Sequence, residues 1–357
     1  MRRRLRVRMR LPRVVSIRML LLAVLVMLVV AMGCARSAAP LPAAAPYATA
    51  APEPVALPRD ALPHDALTEW WYFTGHLQSE DQQRFGFEFT IFQVRRQDAP
   101  AGYLAHFAVT DVDGQRFSHQ ARVMQSPPQT SFPIRVQDWT LLADTAFEAT
   151  MESGPGADVP FALELHFADE KPPALHHGGF IENEPAGGSY YYSRTRLSAR
   201  GELRAGDGDP KQVTGQAWMD HQWGNFVVAA GGWDWYSLQL DDRTELMLYV
   251  LRQASGEVTA VYGSEVLADS SVRDLLPNEV RSTPLGTWTS PHTGAVYPSG
   301  WRLTIRDQQT LTLRPLVQDQ ELYFPGFGGL SYWEGAVSID GDRTGRGYVE
   351  LTGYASQ

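Results

Sequence analysis

A single cysteine, Cys34, serves a chain of 357 residues, and only two of its 31 basic side chains, Lys171 and Lys211, are lysines. One thiol excludes an internal disulfide and a zinc site built on thiolates. No Gly-rich phosphate loop, GxSxG elbow or HExxH helix occurs, and with them go the usual nucleotide, serine-hydrolase and zincin signatures; no cofactor is expected. Long amphipathic helices are missing as well, Ser271–Leu276 being at most a short one. The formal charge of −9 is opposite to what neutralising phosphates with Lys and Arg requires, which argues against nucleic acid as a partner.

The one long apolar run, Met19 to Met32, follows Arg2, Arg3, Arg4, Arg6, Arg8, Arg10, Arg13 and Arg18. It falls short of the about 20 residues that a membrane span wants and suits a secretory signal core. The run ends in Ala31-Met32-Gly33-Cys34, resembling a bacterial lipobox, in which cleavage before the cysteine precedes its lipidation. The other readings are an ordinary secretory cut near Ala35 and an uncleaved anchor. Removing residues 1–33 as a signal peptide takes away eight arginines and no acid, leaving about −17. The membrane is then reached through the lipid and not through surface charge. Ala35, in place of the Asp that commonly retains lipoproteins at the inner membrane, points to the periplasmic face of the outer membrane for a Gram-negative source. Residues 34–62 are rich in Ala and Pro and read as an extended tether.

Beyond residue 63 the pattern has period two. Trp70, Tyr72, Thr74 and His76 share one face of a strand, and Trp71, Phe73 and Leu77 the other. Phe85, Phe87, Phe89 and Ile91 repeat it with Glu88 opposite, as do Tyr103, Ala105, Phe107 and Val109 with His106 opposite. Such runs, separated by turn signals such as Asp113-Gly114 and Asp340-Gly341, predict an all-β chain of antiparallel sheets. Closure into barrels or sandwiches would protect their edges, and a barrel of about eight strands can enclose one small ligand.

Four of the ten tryptophans, Trp218, Trp223, Trp233 and Trp235, crowd together with Asp220, His221 and Asp234 between them. Large rings offer apolar area and a π face that tolerates cations, while a histidine and two carboxylates offer proton chemistry. The plainer account makes the rings core residues and the two aspartates turn residues. Glu88 and His106, together with Glu69 at the head of the first strand, are candidates to converge with Asp220 and His221. Their plainer role is to tie strand backbone in a polar network, since buried polar groups must be paired. His176-His177 has no carboxylate cluster or third histidine at ligand spacing, reads as a solvated loop, and gives no reason to expect a metal.

A wider pattern lies in six ordered blocks: EWWYFTGHL (69–77), FGFEFTIF (85–92), HFAVTD (106–111), YYYSRTRL (190–197), GQAWMDHQWG (215–224), and the closing YWEGAV (332–337) with GRGYVELTGY (345–354). Together they resemble the family of secreted, two-domain, lipocalin-like proteins that includes the AttH-type proteins and the carotenoid 1,2-hydratases. The resemblance runs from about Pro63 to Tyr354. It implies two lipocalin-like antiparallel β-barrel domains in tandem, 63–224 and 225–357, joined around Asp220-His221. In the hydratase branch an acid protonates an isolated C=C bond and water quenches the resulting tertiary cation. Carried over, Asp220 or Asp234 is the acid, His221 the base, and Trp223, Trp235 and Tyr236 the cation cage, with Trp71 and Tyr249 lining the ligand site. The Tyr-x-Asp pair which that branch places downstream reads Tyr249-Val250-Leu251 here, without the acid. This departure turns the expectation toward a lipid-anchored carrier of an apolar or amphipathic small molecule. An ABC transporter permease is the partner that AttH-type members imply. The alternative is a hydratase or hydrolase acting on a carotenoid-like polyene or lipid.

Overall fold

Period two becomes two antiparallel sheets in a computed structural model that describes residues 53–355, apart from 96–98, 144–146, 155–156, 158, 184–186, 227–230, 307 and 328. The leader, Cys34 and the tether up to residue 52 lie outside the described residues. Residues 53–62, read from composition as tether, pack on the folded body. Val55 and Leu57 lie against the first core, and buried Asp60 accepts the Ala56 N–H at 2.7 Å beside the short 3-10 turn Arg59–Ala61.

The first sheet has eleven strands, from Thr68–Ser79 to Lys211–Gly224, and the second ten, from Trp233–Leu240 to Gly345–Leu351. In each, the first strand pairs with the last, so both sheets curl into nearly closed lipocalin-like barrels of the same strand order. The chain passes from one to the other after Gly224 and before Trp233. Asp220-His221 is therefore not the junction; it lies within the last strand of the first barrel. Val272–Leu275 is an edge strand paired with Val258–Val266, not a helix, because its alternation is satisfied by a neighbouring strand.

The inward positions of both barrels hold large buried side chains. Trp71, Phe73, Phe87, Phe89, Phe107 and Trp139 fill the first; Tyr236, Trp301, Leu303, Leu311 and Val349 fill the second. A further aromatic layer, with Tyr72, Tyr191, Trp218, Trp235 and Tyr348, is sandwiched between the barrels.

A buried ionic latch also joins them. Glu245 of the second barrel accepts Arg196 Nε at 2.5 Å and Lys171 Nζ at 2.7 Å from the first. Lys171 further donates to the carbonyls of Arg243 and Leu267, at 2.5 and 2.8 Å. Lys171→Met keeps the aliphatic stem but leaves these acceptors unmatched. It is expected to lower stability by about 1–3 kcal/mol, read as a lower urea midpoint with unchanged slope. An unchanged midpoint would mean that the latch contributes nothing net.

Candidate active site

Neighbouring residues of a strand point to opposite faces, and this divides the sequence candidates. On Lys211–Gly224, Asp220 faces the second barrel while His221 and Trp223 point into the first. On Thr68–Ser79, Glu69 and Trp71 point inward and Tyr72 outward. Glu88, His106, Trp235 and Tyr249 lie between the barrels. Tyr236 belongs to the second core, its hydroxyl 3.0 Å from Ser282 Oγ. Asp234 is held by Arg252 Nε at 3.1 Å and Tyr354 Oη at 3.0 Å. The expected meeting of Asp220 with His221 thus does not occur, because one residue of offset on a strand reverses the face.

Inside the first barrel, Glu69 Oε1 lies 2.9 Å from His221 Nε2 and 2.8 Å from His64 Nδ1. Trp71 stacks on His221 at 4.9 Å, and Trp223 on His64 at 4.0 Å. Burial alone would raise the Glu69 carboxyl, but hydrogen bonds from the two histidines outweigh it and hold it below the ordinary carboxylate value. Burial lowers His221, so the carboxylate faces a neutral imidazole on that side.

Between the barrels lies a cluster of acids. Glu334 and Glu350 are direct cross-strand partners, a placement that disfavours two like charges. Tyr72 Oη donates to Glu334 Oε1, and Trp233 Nε1 donates to Glu350 Oε2 at 2.9 Å. Across from them Glu88 accepts the Thr90 hydroxyl at 2.5 Å, and its second oxygen is buried without a partner. Asp220 accepts from Tyr191 Oη and Trp218 Nε1, each at 2.6 Å, and from Ser193. Trp235 Nε1 extends this chain to Tyr191 Oη at 3.1 Å.

Removal from water dominates every one of these carboxyls. It raises Glu88 to about 8, Glu350 to about 7 and Asp220 to about 6, and Glu334 rises well above its ordinary value. The same cause lowers His76 to about 4 and His106 and His176 to about 3. Near neutral pH Glu88 therefore keeps its proton beside neutral imidazoles, while Glu350 is partly and Asp220 largely ionised. His106 Nδ1 lies 2.6 Å from Tyr332 Oη, its ring stacks on Phe324 at 4.7 Å, and its Nε2 is buried without a partner. The Tyr332 hydroxyl can donate or accept in that pairing; in the tautomer with the ring proton on Nδ1, Nε2 is a free acceptor.

His176 departs from its reading as a solvated loop residue. It is fully buried on the strand Ala174–Asn183, with Nε2 2.6 Å from Ser193 Oγ. Glu334, Glu350, Tyr72, Tyr191 and His64 are members of these clusters that the sequence reading did not select. Glu334 and Glu350 carry the same signal as Glu88, a carboxylate flanked by apolar residues on a strand. His64 carries none, since its link to Glu69 is made by the fold of a lead-in segment.

A tandem of lipocalin-like barrels enclosing a layer of buried acids is the class that this fold and site define. The AttH-like family model matches residues 48–354, and the chain belongs to that family. The crystal structure of an AttH protein from Nitrosomonas europaea is similar with a TM-score of 0.78 and 31% identity, covering 85% of this chain and 98% of that one. Kievitone hydratase from Nectria haematococca shares the fold, with a TM-score of 0.69 at 16% identity over 85% of this chain and 94% of that one. A kievitone hydratase of Fusarium solani subsp. phaseoli is 25% identical over 127 residues, so the match spans about a third of that relative's length.

Proposed function

We propose that this protein is a hydratase-type enzyme that adds water across an isolated C=C bond of an apolar substrate, with Glu88 as acid and His106 as base. The observation that carries the reading is the unpartnered, buried Glu88 Oε2 in an acid cluster walled by aromatic rings. A carboxyl kept neutral by burial can give its proton to an alkene carbon near neutral pH. The new C–H bond takes the π electrons and leaves a tertiary cation, which faces of rings such as Tyr72, Trp235 and Tyr249 stabilise. Water attacks that carbon as His106 Nε2 takes one of its protons. Return of this proton to Glu88 resets the site, with net addition of H and OH. Thr90, bonded to Glu88, is the cross-strand partner of His106, so acid and base are diagonal neighbours on one sheet face, a backbone spacing of about 7–8 Å.

The partial match to a kievitone hydratase supports this reading. So does the filling of both barrel interiors by side chains, which leaves the layer between them as the better place for chemistry than a lipocalin-type calyx. The carrier reading rests on the missing acid after Tyr249 and on the lipobox-like Ala31–Cys34; Glu88 offers an acid from another strand, and a lipid anchor in the cell envelope is equally compatible with an enzyme presented to membrane-dissolved substrates. The test is incubation of the chain in ¹⁸O-water with prenylated phenols, acyclic carotenoids and unsaturated fatty acids. A product heavier by one labelled water is expected from at least one class; binding of a compound returned unchanged would restore the carrier.

A further inference from the structure

We infer that His64, Glu69 and His221 form a binding site for one divalent transition-metal ion of the zinc type, separate from the acid layer. One donor atom from each of His64, Glu69 and His221 lies within 4.8 Å of the other two, and Glu69 Oε1 touches both His64 Nδ1 and His221 Nε2. Two imidazoles and a carboxylate are a donor set that zinc accepts, leaving a fourth position for water. Metal–ligand bonds of about 2.0–2.2 Å would separate neighbouring donors by about 3.3 Å. The present contacts of 2.8 and 2.9 Å would open by only about half an ångström.

The surroundings fit this role. Metal-bound histidines are oriented by a partner on the other ring nitrogen. His221 Nδ1 lies 3.2 Å from Tyr192 Oη, and His64 Nε2 lies 3.8 Å from Asp60 Oδ1. Glu69 Oε2 is fixed by the His64 N–H at 2.9 Å and Gln93 Nε2 at 3.2 Å. Two bridging protons now screen the carboxylate; a cation takes over that work if each ring moves its proton to the other nitrogen. Trp71 Nε1, on the ring stacked against His221, is fully buried without an acceptor, and a metal-bound water or hydroxide is an acceptor of the kind it lacks. His64, 21% exposed, gives an ion a way in.

The experiment is a titration of the full chain with Co²⁺, followed by displacement with Zn²⁺. One Co²⁺ per chain is expected, with a tetrahedral-type visible spectrum and quenching of tryptophan emission, because Trp71 and Trp223 stack on the ligand rings. His64→Ala should abolish both signals. His166→Ala, in the exposed Glu148, Glu164, His166 group, should leave them intact. No stoichiometric uptake by the unaltered chain, or uptake lost with His166→Ala and kept with His64→Ala, overturns the site and leaves these contacts as a clasp for the lead-in. The unaltered chain decides the matter even if His64→Ala proves unfolded by circular dichroism.

Discussion

Glu88→Gln is expected to slow hydration by about 10²–10⁴-fold, the range for losing a positioned acid, while the protein still folds. Gln matches the neutral carboxyl in shape and keeps an oxygen for the Thr90 hydroxyl, so the change removes a transferable proton and little else. The pH profile separates this from a structural effect. A working acid must be protonated, so the rate of the unaltered enzyme should fall as pH rises past about 8, where Glu88 ionises. His106 stays neutral down to about 3 and sets no limb in the working range. In the Gln variant the residual rate should lose its alkaline limb. A drop below about tenfold with the limb retained would place the proton elsewhere, and Glu334, also raised well above its ordinary value, becomes the group to replace. His106→Gln should slow the reaction too, but without moving the alkaline limb.

How far the site was legible before the fold was known follows from strand geometry. The aromatic alternation around Trp71, Phe87 and Phe107 was enough for barrels, because a period of two has one structural meaning over such lengths. Glu88 and His106 stood out because they break an aromatic strand, and both reach the acid layer. The error lay in treating nearness along the chain as nearness in space. Asp220 and His221 are consecutive on a strand, and the rule that built the barrels also sends them to opposite faces. The same parity argument applied throughout would have separated Glu69, Trp71, His221 and Trp223 from Trp218, Asp220 and Trp235. No such rule reaches Glu334 and Glu350, whose apposition to Glu88 depends on how the second barrel docks on the first. Nor does one reach His64, which arrives beside Glu69 and His221 through the lead-in anchored by Asp60 and Val55.

The acid layer also fixes how stability should vary with pH, with a decline from about pH 6.5 toward pH 8.5. Glu88, Glu350 and Asp220 keep their protons up to about 8, 7 and 6 in the fold, against ordinary values of 4.5, 4.5 and 3.8. Over that window the native state binds more protons than the unfolded chain. Their contribution is therefore complete below about pH 4 and is lost as pH rises through the folded values. Buried His76, His106 and His176 act with the opposite sign. Unfolded they charge below 6.5, whereas folded they stay neutral down to about 4, 3 and 3, so stability falls as pH drops from 6.5. The two sets offset one another below 6.5, and above it only the acids remain, at about 1.4 kcal/mol per pH unit for each group protonated in the fold alone. Glu334, raised well above its ordinary value by burial and facing Glu350, acts with the same sign. Glu334→Gln should therefore lessen the loss between pH 6.5 and 8.5, with the Tyr72 hydroxyl bonded to the amide oxygen. Urea unfolding at the two pH values, for both proteins, measures the difference directly. Equal stability of the unaltered chain at pH 6.5 and 8.5 would mean that the acids are ionised in the fold, and the proton donor on which hydration depends would go with them.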